Sequence, residues 1–140
     1  MYFILQPEVA GGLGELTVVD RSKHPPVVTK LHYEFEGWLG DEILESFPCF
    51  IVTAELRKAL ETCAVTGCNF HGATISASPE FHEMYPNRRL PAFDWLKVYG
   101  TAGKDDFGLT TDGRLVISNA ALAILQRFRM EHCAISHWKG

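Results

Sequence analysis

No run of apolar residues in this sequence is long enough to cross a bilayer as a helix. The opening Met1–Pro7 has no basic stretch ahead of its short apolar run, so it does not read as a secretory leader. Those two absences give a cytoplasmic protein as the expectation, with Cys49, Cys63, Cys68 and Cys133 as reduced thiols. There is no Cys-x-x-Cys pair, which removes a zinc-ribbon reading. There is no phosphate loop either. Gly11-Gly12-Leu13-Gly14 lacks the Lys-Ser/Thr ending and the GxGxxG spacing, and Gly100–Lys104 is followed by Asp105 where a hydroxyl residue belongs. Positive charge is not in excess: 13 Lys and Arg face 17 Asp and Glu, for a formal charge of −4. That balance disfavours nucleic acid and anionic lipid as partners and is compatible with a basic protein.

What is present is core material. Apolar residues make up 46% and charged residues 21% of a 140-residue chain that includes nine Phe and three Trp. That balance argues against disorder, and the length suits one domain over residues 1–140.

Local patterns set the expected elements. Tyr2–Leu5 reads as a strand, Gly11–Gly14 as a flexible turn and Pro25-Pro26 as a loop. Lys30–Glu36 alternates, with Leu31, Tyr33 and Phe35 on the dry face of a strand. Asp41 is placed to cap a short helix through Ile43, Leu44 and Phe47, stopped by Pro48. Phe50–Val52 is a short apolar strand. Thr53 then caps a helix with Leu56, Ala59, Leu60 and Cys63 on its apolar face. Ser78-Pro79-Glu80 starts another short helix, which Pro86-Asn87 ends. Phe93–Tyr99 is apolar on both faces, as in a central strand. Asp112-Gly113 reads as a hairpin turn before Leu115. Ser118 caps what should be the longest helix, carrying Ala121, Leu122, Leu125 and Phe128 inward. Cys133–Trp138 forms a last strand or a packed tail. The strands and helices mix without a regular βαβ alternation. The expected fold is therefore α+β, an antiparallel or mixed sheet with helices packed on one face.

The reactive residues do not assemble into a recognisable centre. Cys63, Cys68 and His71 lie close in sequence, as do Cys133 and His137, but the spacing exceeds a zinc knuckle and Cys63 falls on an apolar helix face. Cys49, between Pro48 and Phe50, sits where burial would raise its pKa. No metal or cofactor is expected. Two acidic pairs remain, Asp41-Glu42 and Asp105-Asp106. Neighbouring acids in a turn point apart and bond backbone N–H groups, so Asp105-Asp106 reads first as a turn clamp and second as an acidic contact surface. Trp38, flanked by Gly37 and Gly40 and followed by Asp41, Glu42 and Glu45, is either a plug under a turn or an interface anchor.

The segment Gly103-Lys104-Asp105-Asp106-Phe107, the strand Leu115-Val116-Ile117-Ser118 and the following Ala121-Leu122 resemble a known group. Small bacterial immunity proteins of polymorphic toxin systems carry a Gly-x-Asp-Asp-Phe element, a Leu-Val-Val-Ser-like strand and an Ala-Leu-containing helix in their C-terminal halves. Leu90-Pro91 leading into an aromatic strand is similar too. The resemblance spans roughly Leu90 to Phe128. It implies a cytoplasmic, non-enzymatic protein that binds a cognate secreted toxin domain and occludes its active site. Asp105, Asp106, Trp38, Asp41, Glu42 and Glu45 are the contact candidates. The competing expectations are a small enzyme with an acid or thiol centre and a self-associating binding module.

Overall fold

Beta structure carries the fold, with 40% of residues in strands against 16% in helices. The structure, a computed structural model, describes residues 1–140. The chain begins with β1 (Tyr2–Gln6), β2 (Gly11–Leu13), β3 (Val18–Asp20), β4 (Val27–Lys30) and β5 (His32–Phe35). It continues through β6 (Ile43–Ser46), β7 (Cys49–Thr53), α1 (Ala54–Thr62), β8 (Cys68–His71), β9 (Thr74–Ala77) and α2 (Pro79–Met84). It ends with β10 (Phe93–Val98), β11 (Phe107–Leu109), β12 (Leu115–Ser118), α3 (Asn119–Leu125) and β13 (Ala134–Trp138). No helix is long and apolar enough to cross a membrane.

The central layer is the sheet β6-β7-β10-β8. All five residues of β7 are buried, and they alternate between two cores. Phe50 and Val52 enter the first core, with Leu5 and Ile117 of the sheet β11-β12-β1-β13, Leu56 and Leu60 of α1, and Leu122 and Leu125 of α3. Cys49 and Ile51 enter the second, with Tyr33 and Phe35 of the sheet β2-β5-β9 and Phe81 of α2. The reading of Phe93–Tyr99 as a central strand holds: β10 lies between β7 and β8 and supplies Leu96 to one core and Trp95 to the other. Strand pairing is antiparallel except between β5 and β9, so the fold is α+β in the broad sense, with mixed pairing.

Several expectations are corrected. The helices do not share one face. α1 and α3 belong to the first core and α2 to the second, because the central sheet is apolar on both sides and each side needs a cover. Asp41 caps no helix. Ile43–Ser46 is a strand whose Ile43 and Leu44 point into opposite cores, which a helix at that position could not do. Gly11–Leu13 is a strand on β5 rather than a free turn; a Cβ at Gly11 would run into the Glu34 carbonyl, so glycine is what permits the pairing. α1, with nine residues, is longer than α3, with seven. Cys63 is exposed, because α1 ends at Thr62 before its apolar face reaches it.

The three hydroxyl caps stand as expected. The side-chain oxygens of Thr53, Ser78 and Ser118 accept from the N–H groups of Leu56, Phe81 and Ala121 at 3.1–3.2 Å.

Candidate functional site

The loop from Gly37 to Asp41, between β5 and β6, is held from below by two buried carboxylates. Glu8, 6% exposed, accepts from Leu39 N at 2.7 Å with Oε2 and from Asp41 N at 3.2 Å with Oε1. Asp41, 0% exposed, accepts from Glu131 N at 3.0 Å, His132 N at 2.7 Å and His132 Nδ1 at 3.2 Å. Glu42 continues the stitching: Oε2 accepts from Arg129 N at 2.9 Å and Oε1 from the Thr53 hydroxyl at 3.0 Å. Gly40 lies at φ +109°, a conformation that glycine adopts without strain. Donor atoms of Glu8, Asp41 and His132 lie within 4.8 Å of one another, a spacing that could hold a cation. Each of the four carboxylate oxygens there already accepts an N–H, so the cluster acts as a backbone clamp.

Trp38 sits on this clamp. Its Nε1 donates to the Asp41 carbonyl at 2.9 Å, its ring meets Phe93 edge-on with centroids 5.9 Å apart, and the Arg88 guanidinium lies 4.6 Å from the ring centre. The side chain is half-buried, with a shallow hollow on either side. One hollow is bordered by Val9, Leu39 and Tyr85, and the other by Glu42, Glu55, Pro91 and Arg129. Val9 is 67% and Leu39 56% exposed. Both sequence readings of Trp38 thus meet in one residue, plugged on one side and open on the other.

The remaining candidates divide between this corner and the far end of β10. Asp41 has no exposed surface and cannot touch a partner; its helix-cap reading and its contact reading both give way to the clamp. Glu42 is half-buried beside Trp38. Asp105 and Asp106 lie near the Val98 end of β10, and Trp38 near the Phe93 end. Asp105 accepts from Thr101 N at 2.8 Å. Asp106 Oδ2 accepts from Thr66 N at 3.0 Å, and its Oδ1 from the Ser118 hydroxyl at 2.7 Å. The turn-clamp geometry is present at both residues. Sequence reasoning missed Glu8, Arg129 and His132, whose partners lie far along the chain and leave no local signal.

Glu45 stands half-buried on β6, and burial holds its carboxyl above the usual carboxylate range. The folded state then binds this proton more tightly than the unfolded chain, so stability falls as pH rises through the raised value. Glu45→Gln is expected to be more stable than the parent at neutral pH, with the gap closing as pH falls below about 4, where the side chain becomes protonated in both states. Urea melts of the two proteins across that range read the difference; a constant gap would contradict it.

An apolar cleft of about 290 Å³ opens between Pro25, Pro48, Cys49, Trp95, Lys97 and Leu109. Cys49 is the thiol that a nucleophilic centre would use there, but burial pushes it up to about 12, as it does Cys68 and Cys133. Those three thiols stay protonated at neutral pH. Ellman's reagent is therefore expected to titrate Cys63 alone rapidly in the native protein and all four thiols after denaturation. Fast labelling at Cys49 would reopen the cleft as a reactive site.

No family model matches the chain, and no curated protein is similar to it.

Proposed function

We propose that this chain is a binding protein of the immunity type, which seats a toxin domain on the surface around Trp38 and blocks that domain's active site. The observation that carries the reading is the half-exposed indole, fixed by a buried hydrogen-bonded network and flanked by exposed Val9 and Leu39. A rigid aromatic with an open side and a hollow on each flank has the form of an interface anchor, since little conformational freedom is lost when it is covered. The similarity of Gly103–Leu122 to the immunity proteins supports the same reading. Glu36, Glu42 and Glu55 beside the hollows favour a partner with basic groups, and Arg88 over the Trp38 ring and Arg129 at the edge of one hollow restrict which one. Cytoplasmic residence belongs to this proposal, because the toxin would act on the cell that makes it.

Co-expression tests it. A toxin domain encoded beside this reading frame should stop growth alone and be tolerated together with this chain. Trp38→Ala should weaken the complex by about 30-fold, the scale of a central anchor, with the fold retained in circular dichroism. Undiminished binding by that variant would remove Trp38 from the interface, and toxicity unrelieved by the parent chain would remove the function.

A further inference from the structure

Strand β13 is the longest edge strand of the molecule, at five residues. It closes the sheet β11-β12-β1-β13 and pairs only with β1. Edge strands ordinarily carry a charge, a proline or a cover against further pairing. Ala134-Ile135-Ser136-His137-Trp138 contains no Lys, Arg, Asp, Glu or Pro, and its first four residues are exposed. The other outer strands of the two large antiparallel sheets are shorter, and two of them are partly covered. β11 is flanked by a bridge to Thr101, and β6 by a bridge to Glu8.

We propose that β13 is the seam of a two-fold dimer, in which the β13 strands of two copies pair antiparallel with Ser136 on the axis. The register argues for a second copy as the occupant. Centring on Ser136 pairs all five residues, with Ile135 opposite His137 and Ala134 opposite Trp138, so no like charges meet and large side chains face small ones on one side of the sheet. The faces also match. Ile135 pairs with Leu5, a residue of the first core, and His137 pairs with Phe3, their rings 5.0 Å apart. Ile135 and His137 therefore share the core-side face, and a two-fold axis normal to the sheet brings both copies of that face together. Ile135 is 40% exposed and borders a hollow that includes Phe128 and Met130, which the second copy would cover. On the reverse face Trp138 stands edge-on to Tyr2 with centroids 6.2 Å apart, and Ala134 of the second copy leaves room for it.

Light scattering on the purified chain, from micromolar to millimolar concentration, should show the mass rising from 15.7 kDa toward twice that value. Ile135→Lys, a change at an exposed position, should remain monomeric throughout with an unchanged far-UV spectrum. A parent that stays monomeric at millimolar concentration overturns the proposal, as does a dimer that Ile135→Lys leaves intact. Ser136→Cys in a Cys63→Ser background supplies a separate readout. Directly opposed residues have Cβ atoms about 5 Å apart, so mild oxidation should yield a covalent dimer. Asn69→Cys on β8, in the same background, should not cross-link. Absence of the Ser136→Cys cross-link, or equal cross-linking at position 69, rules out this register. No toxin is needed for any of these measurements, so their failure would leave the Trp38 surface untouched.

Discussion

Asp41→Ala is expected to lower stability by about 3 kcal/mol and the melting temperature by about 10 °C. The side chain has no exposed surface and accepts three hydrogen bonds, two from the backbone N–H groups of Glu131 and His132 and one from the His132 ring. Truncation leaves those part-buried donors without their acceptor, and a donor left unpaired where water does not reach it costs about 1–3 kcal/mol. Glu131 and His132 lose their tie while Arg129 stays stitched to Glu42, and β13 follows them in sequence. Asp41→Asn is the sharper variant. It keeps the shape and one acceptor oxygen but sets an amide N–H₂ against at least one N–H donor, so a loss of about 2 kcal/mol is expected. Urea or thermal melts followed by circular dichroism measure both. A partner contact at Asp41 would instead leave the melts unchanged and weaken only the complex. If the melts of Asp41→Ala coincide with those of the parent, the clamp is not what holds this corner.

The contrast between Asp41 and the helix caps shows what the sequence makes legible. Thr53, Ser78 and Ser118 each act on an N–H three residues ahead, so the signal and its consequence sit in the same short window. Asp41 acts on residues 90 and 91 positions away, and its local surroundings imitate a helix start. Ile43, Leu44 and Phe47 have helical spacing, yet the central sheet has two dry faces and takes Ile43 on one and Leu44 on the other. Tertiary burial decides such a segment, and propensity does not. The second strand was hidden for a related reason. Three glycines in four residues read as a turn, while Gly11 is what lets β2 approach the Glu34 backbone of β5. The strand β10 was legible because apolar residues on both faces describe a central position without naming its neighbours. Of the site, Trp38 was visible as an odd residue in a glycine-flanked loop. The hold of Glu8 on that loop was not, since Glu8 bonds Leu39 N and Asp41 N from 31 and 33 positions away.

Asp106→Ala should cost about 2–3 kcal/mol, and Asp105→Ala about 1 kcal/mol, because the two acids do unequal work. Asp105 accepts one N–H, that of Thr101. Asp106 ties three segments together. Its Oδ2 takes Thr66 N, a bond the Ala variant loses, while its own N–H donates to the Thr66 hydroxyl and its carbonyl accepts from Ser118 N, both at 2.9 Å, through main-chain groups that alanine keeps. The fourth bond carries the consequence. The Ser118 hydroxyl donates to Asp106 Oδ1 at 2.7 Å while its oxygen accepts from Ala121 N at 3.1 Å. Asp106 thus holds the Ser118 proton away from α3 and turns a lone pair toward the helix. Without it the hydroxyl rotates freely, and part of the cap is lost along with the clamp. Ser118→Ala alone should cost about 1 kcal/mol, and the double variant should cost less than the sum of the two single changes by about 1 kcal/mol. Chemical denaturation of the four proteins closes the cycle. Strict additivity would separate the acidic turn from the cap and leave Asp106 as a clamp on Thr66 alone. Coupling would mean that the Asp-Asp-Phe turn and the Ser that opens α3 form one structural device. Their joint occurrence in the immunity-like pattern would then reflect how that part of the chain folds, and the search for what it binds would centre on Trp38.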